Sequence, residues 1–202
     1  MEGFHMTESD PIAALSSTDP KRLGSEEFVA LLEAASARAT ADAEVDLSSL
    51  EPQQFARLIS RASDEQLEAV MARPELAERI LDEMFRRMGE HYRSDKAGST
   101  EAVVRWRINL DGSAAPEDSS TDGQDEPGVL RYECVLSEGT CTVSKTPERE
   151  PRVTVMLGPV ELLKLASSNA SAPMLFMTGK LKVAGDVGFA AGLTKLFQIP
   201  KA

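Results

Sequence analysis

With 202 residues, 42% of them hydrophobic and 27% charged, the chain is long enough for one substantial core and has the balance of a globular protein. Its formal net charge of −11 argues against nucleic acid as the main partner, because binding a polyanion needs a concentrated cationic surface. No run of about 20 apolar residues can span a bilayer, and the first thirty residues lack the basic and apolar regions of a secretory signal. A cytoplasmic location with free thiols is therefore expected. The charge is uneven: residues 1–50 hold 3 basic and 10 acidic side chains, whereas residues 176–202 hold four lysines against Asp186.

Residues 1–48 read as an acidic, partly disordered arm rich in Ala and Ser, with one short helix at 25–36 that places Phe28, Leu31, Leu32 and Ala35 on one face. Residues 49–74 read as a helical extension. Its first helix, at 52–61, starts with Pro52, whose missing N–H is harmless at a first helical position, and shows Phe55, Leu58 and Ile59. Ser63 and Gln66 form a capping-box pair that opens the next helix, with Leu67, Val70 and Met71, and Pro74 restarts the chain. A helix at 75–92 repeats Leu76, Ile80, Leu81, Met84, Phe85 and Met88 at three- and four-residue spacings.

Strands follow. Val104, Trp106, Ile108 and Leu110 alternate with Arg105, Arg107 and Asn109, the period of a strand with one buried face. Residues 115–128 form an acidic loop, after which Leu130, Tyr132, Cys134 and Leu136 run to a Glu138-Gly139 turn and return through Cys141 and Val143. That turn sets Cys134 opposite Val143, so the two sulfurs are diagonal neighbours and a disulfide would be strained. Val153, Val155 and Leu157 make a fourth strand, and Gly158-Pro159 opens a helix through Leu162, Leu163 and Leu165. Then come the apolar piece Met174–Met177, a strand at Lys180–Ala184 and a last helix from about Asp186 to Gln198. This order predicts an α+β fold, a five-stranded, mostly antiparallel sheet wet on one face with helices covering the other.

The run Met177-Thr178-Gly179-Lys180-Leu181-Lys182-Val183-Ala184-Gly185-Asp186, with the apolar helix ending Leu196-Phe197-Gln198-Ile199-Pro200, resembles the signature ending of the sterol carrier protein 2 (SCP-2) family. Trp106-Arg107-Ile108 leading to Asp111-Gly112, the Arg152–Leu157 strand running into the next helix, and the Leu81/Phe85/Met88 helix extend the resemblance over about residues 66–202. The resemblance implies an SCP2-like lipid-binding domain at 75–202, with an apolar tunnel between sheet and helices that accepts fatty acids, acyl-CoA esters, sterols or phospholipids. The 115–128 loop is longer and more acidic than the family needs, and Lys201-Ala202 stands where some members carry a peroxisomal targeting tripeptide.

Alternation and resemblance together give the tunnel candidates Phe85, Trp106, Ile108, Tyr132, Val153, Val155, Leu163, Met174, Phe176, Met177, Leu181, Val183, Phe189, Leu193 and Phe197. The last helix is apolar around most of its circumference, which suits either a helix buried between layers or one lining a ligand space. The methionines suit a core or an adaptable pocket. No catalytic residue, metal or cofactor is expected: His5 and His91 lack spaced partners for zinc or a triad, and no G-x-S-x-G, H-E-x-x-H, C-x-x-C or G-x-G-x-x-G occurs. Non-catalytic binding or transfer of a lipid is the leading reading; the alternative is an SCP2-like module that docks a protein partner. On the outward face of the sheet, Arg105, Arg107, Arg131, Arg152, Lys180 and Lys182 gather against Glu133 alone. This predicts a cationic face, either plainly solvated, facing anionic membrane headgroups, or covered by the acidic arm.

Overall fold

The computed structural model describes residue 15 and residues 17–37, 51–112 and 127–197, with the side chain of Pro52 excepted. Residues 1–14 and 38–48 of the acidic arm, residues 49–50 of the helical extension, most of the 115–128 loop and the Gln198–Pro200 end of the last predicted helix lie outside the described residues. The helical elements are α1 (Ser25–Ala37), α2 (Pro52–Arg61), α3 (Asp64–Met71), α4 (Pro74–Glu90), α5 (Ser94–Ala97), α6 (Pro159–Ala166), α7 (Ala172–Met177) and α8 (Val187–Gly192). The strands are β1 (Ala102–Asn109), β2 (Val129–Ser137), β3 (Thr140–Ser144), β4 (Val153–Leu157) and β5 (Leu181–Gly185).

Local chemistry sets the helix starts. Ser63 Oγ accepts from Gln66 N at 3.2 Å while Gln66 Oε1 accepts from Ser63 N at 2.9 Å, the reciprocal box expected at the start of α3. The same Gln66 donates its Nε2 to the carbonyls of Pro20 and Leu23, both at 2.8 Å, and so ties the segment before α1 to the helical layer. Phe28, Val29, Leu32 and Ala35 of α1 are buried in one hydrophobic core with α3, α4 and the sheet. The helices before residue 75 are thus built into the same core as the strands.

The sheet is ordered β3-β2-β1-β4-β5, with every neighbouring pair antiparallel except β1 and β4. The architecture is α+β. The β2–β3 hairpin turns through Glu138 and Gly139, both at positive φ (52° and 75°), the backbone that a two-residue turn matching the strand twist requires. Cys134 stands opposite Val143 in the register, and both cysteines are free thiols. Tyr132, Trp106, Val155 and Val183 form one cross-strand row facing the helices. Phe85 of α4 stacks on Tyr132, with ring centroids 3.9 Å apart, and meets Trp106 edge-on at 5.8 Å. The Tyr132 hydroxyl donates to Asp82 Oδ1 at 2.6 Å, and Lys145 pairs with both Asp82 and Glu78.

Two expectations are corrected. The outward face of the sheet is not wet at its centre: Arg105, Arg107 and Glu133 are buried. The connection from β3 to β4 crosses it, with Glu148 N and Arg149 N donating to the Glu133 carboxylate (3.2 and 3.0 Å) and Arg105 donating to the Arg149 carbonyl at 2.6 Å. Further out, Arg152 pairs with Asp186 at 2.8 Å and lies over the Phe189 ring, and Lys180 pairs with Glu161 at 3.2 Å. The cations are answered locally, so no bare basic sheet is left at those positions. The last helix is also not continuous. Asp186 caps α8 by accepting from Phe189 N, but α8 ends at Gly192 and tightens into a 3-10 turn at Leu193–Lys195. Two glycines in a six-residue helix weaken it, and the chain is instead tied to the end of α4 through Arg93 N donating to Leu196 O at 2.7 Å.

Candidate ligand cavity

Between the helices and the sheet lies a hollow of about 120 Å³ that opens to solvent. One wall is Phe55, Ala56 and Ile59 of α2, and the next is Met84, Arg87 and Met88 of α4 with His91 just beyond it. Leu162, Leu163, Leu165 and Ala166 of α6, with Ser167, close the opposite side. Trp106 of β1 is the floor, and Leu193, Thr194 and Phe197 arrive from the chain segment after α8. The α2 residues are in place because Phe55 and Ile59 are one helical turn apart and α2 packs on α6.

The polar groups of this wall are partly committed. Arg87 forms a buried ion pair with Glu83 and its guanidinium lies 5.0 Å from the centre of the Phe55 ring. Burial pushes the Glu83 carboxyl up, but hydrogen bonds from Arg86 and Arg87 outweigh it and hold the group below the ordinary glutamate range. The Nε2 of His91 is buried without a hydrogen-bond partner among the described residues. Among the described residues no group of three or more His, Cys, Asp or Glu side chains could hold a metal ion, and no helix is long and apolar enough to cross a membrane.

The predicted tunnel residues fall into four places. Trp106, Leu163, Leu193 and Phe197 line the cavity. Phe85, Ile108, Tyr132, Val153, Val155 and Leu181 are buried in the core around it, and Val183 and Phe189 are partly buried against that core. Met174, Phe176 and Met177 are exposed (61%, 51% and 85%) on α7 and do not line the cavity. The lining from α2 and from Met84, Met88 and His91 is absent from the sequence reading. Its i, i+4 apolar pairs were visible there, but nothing local says that a helix of the extension lies across Trp106.

Residues 121–198 match the model of the SCP-2 sterol transfer family, a span of less than half the chain. No curated protein matches the chain. Among solved structures, the sec-alkylsulfatase Pisa1 from Pseudomonas sp. is similar over 93% of this chain and 30% of its own, at 15% identity and a TM-score of 0.46. The chain thus spans about a third of the length of the alkylsulfatase chains. Sterol carrier protein 2 like 2 from Aedes aegypti aligns over 58% of this chain and 95% of its own (18% identity, TM-score 0.38). Sterol carrier protein 2 from Yarrowia lipolytica, in its apo form, aligns over 77% and 98% (18% identity, TM-score 0.37). Over residues 121–198, then, the chain is similar to the SCP-2 sterol transfer family, the family that its C-terminal run resembles.

Proposed function

We propose that this protein binds an apolar lipid, without catalysing a reaction on it, in the cavity between α2, α4, α6 and Trp106. The observation that carries this reading is the lining itself, a hollow whose wall is almost entirely aliphatic, aromatic or thioether side chain. Such a wall offers a hydrocarbon chain about 0.8 kcal/mol per buried methylene. The affinity therefore grows with each methylene the hollow covers, against association costs of several kcal/mol, and needs no specific polar contact. Because one methylene alters affinity only modestly, the protein accepts a range of chain lengths. The match of residues 121–198 to a sterol transfer family supports the same reading.

Native mass spectrometry of the purified full chain tests it. A co-purifying lipid, or stoichiometric uptake of a long-chain fatty acid added to the protein, is the expected result. A protein that is empty as isolated and indifferent to fatty acid, sterol and phospholipid probes would refute it and favour a module that docks a protein partner.

A further inference from the structure

The three large apolar side chains of α7 point into water from a firmly held backbone. Leu175 is buried and anchors the helix beside β5, and at about 100° per residue Met177 falls opposite it, with Met174 and Phe176 on the flanks. The turn is closed by hydrogen bonds: Thr178 N and Oγ1 donate to Met174 O (3.0 and 2.9 Å), Gly179 N to Phe176 O (3.1 Å) and Lys180 N to Leu175 O (2.9 Å). The exposure is therefore built in.

The sequence from this turn onward is more basic than the chain as a whole. Residues 162–202 hold five lysines, Lys164, Lys180, Lys182, Lys195 and Lys201, and a single carboxylate, Asp186, although the chain has 33 acidic residues; two of the lysines are paired with carboxylates from outside that span, Lys164 with Asp64 at 2.6 Å and Lys180 with Glu161 at 3.2 Å. Asp186 is itself engaged by Arg152 and by Phe189 N. Exposed methionine and phenylalanine on a basic segment of an acidic protein match an anionic lipid surface, which offers negative headgroups above an apolar layer. A protein partner fits less well, because a six-residue helix presents far less than the roughly 1,000 Å² of a specific interface. A second copy would set the same lysines against each other.

We propose that α7 is a docking edge for anionic membranes, with Met174, Phe176 and Met177 entering the headgroup boundary and the neighbouring lysines holding the protein there. This holds whatever the cavity contains. The test is flotation of the full chain with vesicles of phosphatidylcholine alone, or with about one third phosphatidylglycerol. The wild type is expected to float with the anionic vesicles at low ionic strength and to be released by salt. The Phe176→Ser/Met177→Ser double variant, unchanged in circular dichroism and in bound lipid by native mass spectrometry, is expected to bind at least about tenfold more weakly. Lys180→Gln is expected to weaken binding about fivefold. The proposal is overturned if the wild type ignores anionic vesicles, if the double variant binds them as the wild type does, or if sedimentation shows a dimer that the double variant dissociates.

Discussion

Replacing Ala56 with leucine distinguishes a real hollow from a filled core, because the two predict opposite signs. Ala56 is buried and faces the cavity from α2. In a filled core, added carbons force neighbours off their rotamers, at a cost of about 1–3 kcal/mol. Into an open apolar space the same three carbons bury without displacing protein atoms, and at about 0.8 kcal/mol each they contribute up to about 2.4 kcal/mol of stability. They also occupy room that a ligand would use. Displacing an equal number of ligand methylenes weakens binding by about 2.4 kcal/mol, or about 50-fold. Urea unfolding gives the first quantity, and titration with a fluorescent fatty acid gives the second. The expected outcome is a more stable protein with a weaker ligand. A variant destabilised by more than about 1 kcal/mol with unchanged affinity would refute the reasoning.

Tyr132→Phe removes the hydroxyl that donates to Asp82 while keeping the ring stacked on Phe85, so urea unfolding should show a loss of about 1–2 kcal/mol, with Lys145 still holding Asp82. Gly185→Ala should lose more than about 2 kcal/mol in the same assay, because its φ is +89° and a Cβ would meet the Arg152 carbonyl oxygen at 2.5 Å. Glu83 makes stability fall in acid: its folded pKa lies below its unfolded value, so its contribution is fully present above the unfolded carboxylate pKa of about 4.3 and is lost as pH falls through the folded value. Thermal unfolding from pH 6 down to about pH 3 should show this slope, and Glu83→Gln should flatten it.

Elements governed by near neighbours were legible in the sequence. The Ser63–Gln66 box, the prolines opening α2, α4 and α6, and the Glu138-Gly139 turn each act within a few residues, and each stands where the pattern put it. That Trp106, Tyr132 and Val155 share the inner face of the sheet followed from alternation, because a period of two leaves no choice of face. What the pattern could not carry was contact between distant segments. Phe55 and Ile59 have the spacing of any amphipathic helix, and only the packing of α2 on α6 turns that stripe into a cavity wall. Met174, Phe176 and Met177 look like core by composition, yet α7 is too short to bury more than Leu175. Arg105 and Arg107 alternate as solvent-facing residues should, and the segment at 148–149 that closes over Arg105 and Glu133 comes from more than forty positions after Arg105.

The parallel pairing of β1 with β4 has a kinetic consequence. β1 meets β2 across one loop, but its other edge waits for a partner about fifty positions away, Val104 against Val153. Ring closure over that span is entropically unfavourable before any contact compensates it, so the β1–β2–β3 meander should assemble first and β4 should arrive late. Until then the central strand carries a bare row of amides, open to pairing with another nascent chain. Pulse-labelled hydrogen exchange during refolding would show β2 amides protected ahead of those of β4, and simultaneous protection would contradict this sequence of events.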